Sequence, residues 1–128
     1  MGFPGEVNLR TLIVEDNASY REAIRDTIQS LFPSMVIQEA SEGNDAIQKA
    51  GVFQPQLILM DIRLPGENGL HLTQKIKTTY PHMKVVIITG YDSVEYREAA
   101  IRSGAVGYVA KDSLNPEQLE TLIKSLVE

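Results

Sequence analysis

The sequence predicts an α/β fold in which a parallel sheet of five strands is covered by helices. Two observations predict it. First, five short apolar stretches alternate with segments whose apolar residues recur at helical spacing, and the turns between them are short. This alternation is typical of βαβ units, whose crossovers are right-handed. Second, residues 57–61 place four apolar residues before one carboxylate, and Pro65-Gly66 follow. Such a run is typical of a strand buried on both faces.

The first half of the chain is predicted to contain three strands and two helices. The strands are residues 9–14, 35–40 and 57–61. The first helix has Asp16 or Asn17 placed to cap it and Pro33 placed to end it. Its stripe at helical spacing is Tyr20, Ala23, Ile24, Thr27, Ile28 and Leu31. The second helix covers residues 43–53. Its predicted inward positions are Ala46, Ile47 and Ala50.

The second half of the chain completes the pattern. The fourth and fifth strands are residues 84–89 and 106–110. A helix over residues 68–80 connects the third strand to the fourth. Its clearest core positions are Leu72 and Ile76. Residues 93–102 favour a helix by propensity, yet their apolar positions make no clean face. Asn115 and Pro116 open the last helix as its cap and first residue. The apolar stripe of that helix is Leu119, Leu122, Ile123, Leu126 and Val127.

Composition excludes several classes of function. The chain has 128 residues, enough for one domain with a core, and a net charge of -5. An acidic chain is poorly suited to nonspecific contact with nucleic-acid phosphates. The absence of cysteine excludes disulfides, thiol catalysis and thiolate metal sites. No apolar run approaches the ~18 residues that span a bilayer, and the first residues lack a signal-peptide pattern. We therefore expect a cytoplasmic protein with no membrane partner.

Polar residues follow four of the predicted strands, and they are the candidate functional residues. Glu15 and Asp16 follow the first strand, Asp61 ends the third, Thr89 ends the fourth, and Lys111 follows the fifth. Because the carboxyl ends of parallel strands meet at one sheet edge, these side chains are expected to lie together. Three carboxylates suit a hard cation such as Mg²⁺. Lys111 suits a phosphoryl oxygen, and Asp61 is a candidate nucleophile that forms an acyl phosphate. Taken alone, each residue also has a simpler interpretation, as a helix start, a strand residue or a surface charge.

The combination resembles the response-regulator receiver domain of bacterial two-component signalling. The matching features are Glu15-Asp16, the sequence Asp-Ile-Arg-Leu-Pro-Gly at residues 61–66, Thr89, and Tyr108 three residues before Lys111. The resemblance covers about residues 8–128. The ending at residues 107–112 resembles more narrowly the receivers that are joined to helix-turn-helix domains of the LuxR/NarL type. Gly90 departs from the pattern, because receivers often carry Ala or Ser there, but a small residue leaves room for a phosphoryl group.

The resemblance implies a doubly wound, flavodoxin-like sheet with strand order 2-1-3-4-5. It implies that Asp61 takes a phosphoryl group from a sensor histidine kinase and that Thr89 and Lys111 bind the phosphoryl oxygens. The implied Mg²⁺ ligands are Asp16, Asp61, the backbone carbonyl of Arg63 and, largely through water, Glu15. The domain is expected to catalyse its own phosphorylation and dephosphorylation, mainly by positioning and charge neutralisation.

Two further roles are expected from the resemblance and the sequence together. Arg63 and Tyr91, each two positions past Asp61 or Thr89, flank the path of an attacking water and are expected to set the phosphoryl lifetime. Thr89 and Tyr108 are expected to form a coupled switch. This switch would remodel the surface made by residues 93–102, the fifth strand and the last helix, since the helix between them has the weakest apolar stripe.

We expect residues 1–128 to form a single receiver domain that controls transcription through an effector domain absent from this chain. The alternative is a stand-alone receiver that acts by protein–protein interaction. Self-association on phosphorylation is left open, and no nucleic acid is expected to bind this domain alone. Two other classes of protein fit the sequence less well. A flavodoxin needs a hydroxyl-rich and glycine-rich phosphate loop where this chain has Glu15-Asp16-Asn17. A module that no longer accepts phosphate would not need the full acidic set. His71 and His82 are expected to be surface residues.

Overall fold

The fold is described by a computed structural model for residues 9–127. Its seven strands are β1 (Arg10–Val14), β2 (Val36–Ala40), β3 (Leu57–Asp61), β4 (Arg63–Leu64), β5 (Glu67–Asn68), β6 (Lys84–Thr89) and β7 (Gly107–Ala110). Its five α-helices are α1 (Ala18–Leu31), α2 (Gly43–Phe53), α3 (Gly69–Thr79), α4 (Val94–Arg102) and α5 (Pro116–Val127). A short 3₁₀ turn at Lys111–Ser113 follows β7. The predicted domain covers residues 1–128, of which residues 1–8 and 128 lie outside the described residues.

Five of the strands form one parallel sheet with the order β2-β1-β3-β6-β7. The expected order 2-1-3-4-5 is therefore confirmed, with β6 and β7 as the fourth and fifth predicted strands. Strands β4 and β5 are two residues each and pair with one another in an antiparallel ribbon beside the sheet. In the register of the main sheet, Asp61 lies opposite Ile88, and Thr89 lies opposite Ala110. The polar residues at the strand ends thus share one edge of the sheet.

Helices cover the sheet on both faces, as is usual for parallel sheets, and the central strands β1, β3 and β6 are almost fully buried. Alternate strand residues point to opposite faces, so each face has its own core. On one face, Leu12, Ile58 and Ile87 belong to a cluster with residues of α2, α3 and α4. On the other face, Ile13 and Leu59 belong to a cluster with residues of α1 and α5. All five residues of β3 are buried, which agrees with the prediction for residues 57–61.

The predicted helix signals are largely confirmed. The Asn17 side chain caps α1 by accepting from the Tyr20 N–H at 3.0 Å. The Asn115 side chain accepts from the Gln118 N–H at 2.8 Å at the start of α5. The helix predicted at residues 68–80 is Gly69–Thr79, and Asn68 caps it. Among the described residues, no helix is both long and apolar enough to cross a bilayer.

Two predicted core positions are wrong. Ile47 was expected to face inward but is 40% exposed. Helix α2 instead packs through the small residues Gly43, Ala46 and Ala50, which brings it close to the sheet and leaves Ile47 at the margin of the contact. Ala23 was placed in the α1 stripe, yet it is exposed, and the buried residues of that helix are Ile24 and Ile28.

Candidate functional site

Three carboxylates meet at the carboxyl edge of the sheet. Glu15 and Asp16 follow β1, and Asp61 is the last residue of β3, the strand next to β1. One oxygen from each of these carboxylates lies within 4.8 Å of the other two. Glu15 and Asp61 are buried, at 3% and 6% exposure, whereas Asp16 is exposed. The structure therefore brings together the acidic residues that the sequence predicted.

Lys111 supplies the positive charge at this cluster. Its Nζ lies 2.5 Å from Glu15 Oε1 and 3.3 Å from Asp61 Oδ2. It also lies 4.6 Å from the ring centroid of Tyr20. Burial lowers the pKa of Lys111, but the hydrogen bond to Glu15 and the charge of Asp61 outweigh it. The pKa of Lys111 is therefore raised above its ordinary value of 10.5, and the ammonium stays charged.

Backbone contacts hold the acidic loops in place. The Asn17 N–H donates to Glu15 Oε2 at 3.0 Å, and Arg21 Nη1 donates to the Glu15 carbonyl at 2.8 Å. At the other loop, the first residue of α3 is Gly69, which packs directly against the end of β3. A Cβ atom at Gly69 would lie 1.9 Å from the carbonyl oxygen of Asp61. Only glycine allows this approach, which fixes the backbone of Asp61 against α3.

Thr89 and Tyr108 lie on neighbouring strands, and both bind one loop residue. The Thr89 hydroxyl is buried and accepts from the Tyr91 N–H at 3.0 Å. The Tyr108 hydroxyl donates to the Tyr91 carbonyl at 2.6 Å. The guanidinium carbon of Arg63 lies 3.8 Å from the centroid of the Tyr91 ring. Arg97 of α4 lies in the same way over Tyr108, at 4.7 Å. The two predicted switch residues are thus linked through Tyr91.

Three residues of this region were missed by sequence reasoning. Tyr20 appeared only as a member of the α1 stripe, but its ring packs against Lys111. Its hydroxyl is buried and has no hydrogen-bond partner in the part of the chain that the structure describes. Burial raises the pKa of Tyr20 above its ordinary value of 10.0. Gly69 and Arg97 were also missed, because each acts through a contact with another structural element that no local sequence pattern indicates. Both histidines are exposed, as predicted.

The donor set fits a hard divalent cation. Three carboxylates at one point need more counter-charge than Lys111 alone supplies, and oxygen ligands are those that Mg²⁺ prefers. The ammonium beside Asp61 is equally suited to an added phosphoryl group. A groove between α2 and α3 is lined by residues such as Ile47, Gln74 and Tyr80 and contains none of these groups. The acidic edge, and not this groove, is therefore the candidate functional site.

Comparison with known proteins gives the family. The sequence model of the response regulator receiver domain matches residues 11–124. The uncharacterized transcriptional regulatory protein YxjL of Bacillus subtilis is 37% identical over 117 residues, which cover 91% of this chain and 53% of YxjL. The oxygen regulatory protein NreC of Staphylococcus carnosus is 33% identical over 119 residues, which cover 92% of this chain and 54% of NreC. The chain therefore spans about half the length of these curated relatives.

Solved structures agree with that match. A two-component response regulator of the LuxR family from Aurantimonas sp. SI85-9A1 superposes with a TM-score of 0.86 and 27% identity, covering 94% of this chain and 86% of that one. A CheY-like receiver domain protein from Methanospirillum hungatei JF-1 gives a TM-score of 0.84 and 27% identity, covering 94% and 95%. The family match decides against the flavodoxin alternative, and the relatives support the narrower resemblance to LuxR/NarL-type regulators. The chain belongs to the response regulator receiver domain family.

Proposed function

We propose that Asp61 accepts a phosphoryl group from a sensor histidine kinase. One observation carries the proposal. Asp61 is buried at the end of β3, its Oδ2 lies 3.3 Å from the Lys111 ammonium, and the carboxylates of Glu15 and Asp16 stand within 4.8 Å. The other carboxylates lack part of this setting. Asp16 is exposed. Both carboxylate oxygens of Glu15 are already engaged, Oε1 by the Lys111 ammonium and Oε2 by the Asn17 N–H.

The proposed reaction is a displacement at phosphorus. One Asp61 carboxylate oxygen attacks the phosphorus, the bond from phosphorus to the donor imidazole nitrogen breaks, and the donor histidine leaves with the electron pair. The product is an acyl phosphate. Lys111 would move from Glu15 toward the new phosphoryl oxygens, and the Thr89 hydroxyl would donate to another of them.

A divalent metal would be held by Asp16 and Asp61, with the Arg63 backbone carbonyl as a third ligand and Glu15 acting through water. When bound, Mg²⁺ would supply positive charge that neutralises the carboxylates and the phosphoryl oxygens. Hydrolysis of the acyl phosphate needs a water molecule near the phosphorus. Arg63 stacks on Tyr91, and both follow the strand ends that carry Asp61 and Thr89. We propose that this pair restricts the water and thereby sets the lifetime of the phosphoryl group.

The readout is proposed to run through the loop between β6 and α4. If Thr89 turns its hydroxyl to a phosphoryl oxygen, it withdraws the acceptor of the Tyr91 N–H. The loop is then free to move together with Tyr108, which is bound to the Tyr91 carbonyl. Helix α4, β7 and α5 would form the responding surface. A coupling of about 1–3 kcal/mol is enough for such a switch.

For the whole protein, we propose control of transcription through an effector domain. Two observations support this: the chain matches only about half the length of its relatives, and YxjL is named a transcriptional regulatory protein. Residues 1–128 would be its single receiver domain. Dimerisation on phosphorylation and a cytoplasmic location are proposed on family grounds. The stand-alone receiver has no observation of its own in its favour.

The test is phosphorylation by acetyl phosphate and Mg²⁺, read by intact mass. The wild-type chain should gain one phosphoryl group and Asp61→Asn none. Asp112→Asn is the matched control, because Asp112 is an exposed carboxylate next to Lys111. It should be labelled like the wild type. Labelling of Asp61→Asn at the wild-type yield would overturn the assignment.

A further inference from the structure

Contacts of four residues connect helix α4 to the strand ends that carry Asp61 and Thr89, and one of these contacts runs through the backbone of Tyr91. Arg97 lies 4.7 Å over the Tyr108 ring, the Tyr108 hydroxyl donates to the Tyr91 carbonyl at 2.6 Å, and Arg63 lies 3.8 Å over the Tyr91 ring. We call these contacts the ladder. We propose that Arg97 is a positioning residue that, through the ladder, sets how firmly Arg63 and Tyr91 cover Asp61, and so lengthens the life of the phosphoryl group.

The far end of the ladder joins two strand ends that belong to the site. Arg63 is two residues past Asp61 at the end of β3, and Tyr91 is two residues past Thr89 at the end of β6. Strands β3 and β6 are neighbours in the sheet. The stack of Arg63 on Tyr91 therefore bridges the two strand ends that carry Asp61 and Thr89. Both residues are exposed, so the bridge lies on the solvent side of these strand ends. We expect it to hinder a water that approaches Asp61 from that side.

The near end of the ladder is held by Arg97 in two ways. Its guanidinium stacks on Tyr108, and its Nη2 lies 3.2 Å from Asp92 Oδ1. Asp92 is the residue after Tyr91, so both contacts restrain the same loop, one directly and one through the Tyr108 hydroxyl. Replacement of Arg97 releases both. Because these contacts are partly exposed, we expect loss of the guanidinium stack to lower the population of the intact ladder about two- to fivefold.

Helix α4 also offers a matched control. Arg102 is on the same helix and is also exposed, but it pairs with Glu98 of its own helix, at 3.9 Å. Removing Arg102 therefore changes the net charge of the helix by the same amount as removing Arg97, without touching the ladder. Arg97→Lys keeps the charge and loses the planar guanidinium, so it separates stacking from charge.

The first test uses the unphosphorylated chain and does not depend on the proposed function. NMR would follow the Arg63 Nε–Hε signal and the Tyr91 amide in Arg97→Gln, Arg102→Gln, Tyr108→Phe and the double variant Arg97→Gln/Tyr108→Phe. Arg97→Gln should shift both signals, and Arg102→Gln should leave them in place. The double variant should shift the Arg63 signal by less than the sum of the two single shifts, because the Tyr108 hydroxyl transmits one of the two restraints and the ion pair with Asp92 supplies the other. An unmoved Arg63 signal in Arg97→Gln would overturn the proposal.

The second test rests on the proposed function and measures the lifetime. The chain is phosphorylated with acetyl phosphate and Mg²⁺, the donor is removed, and loss of the phosphoryl group is followed by intact mass. Arg97→Gln should lose it about two- to fivefold faster than the wild type. Arg97→Lys should lie between them, and Arg102→Gln should match the wild type. An unchanged rate in Arg97→Gln would overturn the proposal.

A double-mutant cycle decides whether Arg97 acts through the stack of Arg63 on Tyr91. If it does, Arg63→Gln/Arg97→Gln should lose the phosphoryl group no faster than Arg63→Gln alone, because the stack is already absent in the single variant. The cycle of Arg63 with Arg102 should be additive. Additive rates for Arg63 and Arg97 would show separate effects and overturn the proposal. If the wild type takes up no phosphoryl group at all, the proposed function fails, and the NMR cycle still decides the ladder.

Discussion

Magnesium should raise the thermal stability of this chain, and the size of the effect follows from its site. Three carboxylates stand within 4.8 Å of one another with one ammonium between them. A cation that binds only the folded state stabilises it by RT ln(1 + [L]/Kd), or about 1.4 kcal/mol at tenfold above Kd. Unfolding 128 residues carries an entropy of roughly 0.27 kcal/mol/K near the midpoint. The midpoint should therefore rise by about 5 °C.

Asp16→Asn is the variant that tests this reasoning. The Asp16 carboxylate is exposed and makes no ion pair within residues 9–127, so its replacement should leave the fold intact. Without metal, Asp16→Asn should be at least as stable as the wild type, because one repelling charge is gone. With Mg²⁺, its midpoint should rise much less than that of the wild type.

The assay is differential scanning calorimetry over a Mg²⁺ series at constant ionic strength. Asp112→Asn, which removes an exposed acid outside the trio, should keep the full rise. Equal Mg²⁺ shifts in Asp16→Asn and the wild type would refute the site, since the metal would then be acting elsewhere on an acidic chain.

Two other changes probe the frame around the site. Gly69→Ala places a Cβ 1.9 Å from the backbone oxygen of Asp61. Urea denaturation should therefore show a free energy of unfolding lower by about 3 kcal/mol or more. Gly90→Ala is the control, because its Cβ would meet no such atom within 4 Å, and it should change the stability little. Burial raises the pKa of Glu39, but hydrogen bonds from two arginines of α1 outweigh it, and the pKa lies below its ordinary value of 4.5. Glu39→Gln should therefore be less stable than the wild type at pH 7, and the difference should shrink as the pH falls below about 4.5. A difference that persists at pH 2 would contradict this.

The sequence was sufficient to locate the candidate site because the site depends on topology alone. Glu15, Asp16, Asp61 and Lys111 each stand at a strand end, and parallel pairing aligns those ends whatever the details of packing. Even a strand boundary misplaced by one residue, as at residue 35 or 106, does not move them to another edge.

Contacts that depend on lateral packing could not be predicted in this way. Ile47 looked like a core residue because the helical period alone does not say how close a helix lies to the sheet. The small residues of α2 let it approach so closely that Ile47 falls outside the contact. Tyr20 and Arg97 depend on the reach of long side chains between elements. Gly69 has no pattern of its own, and its role appears only when α3 is placed against the end of β3.

Helix α4 shows how a weak sequence pattern translates into a structural property. Its one fully buried residue is Ala100, and its larger apolar residues Val94 and Ile101 are each 67% exposed. Its apolar anchoring is therefore limited to Ala100 and the partly buried Tyr96, and Arg97 adds polar contacts to Tyr108 and Asp92. Because polar contacts at a surface are weak, we expect a displacement of α4 to cost little free energy. Through Tyr108 these contacts reach the Tyr91 carbonyl, and the Tyr91 N–H donates to Thr89 at the same sheet edge as Asp61. We therefore expect α4 to be the element that responds first to a change at Asp61.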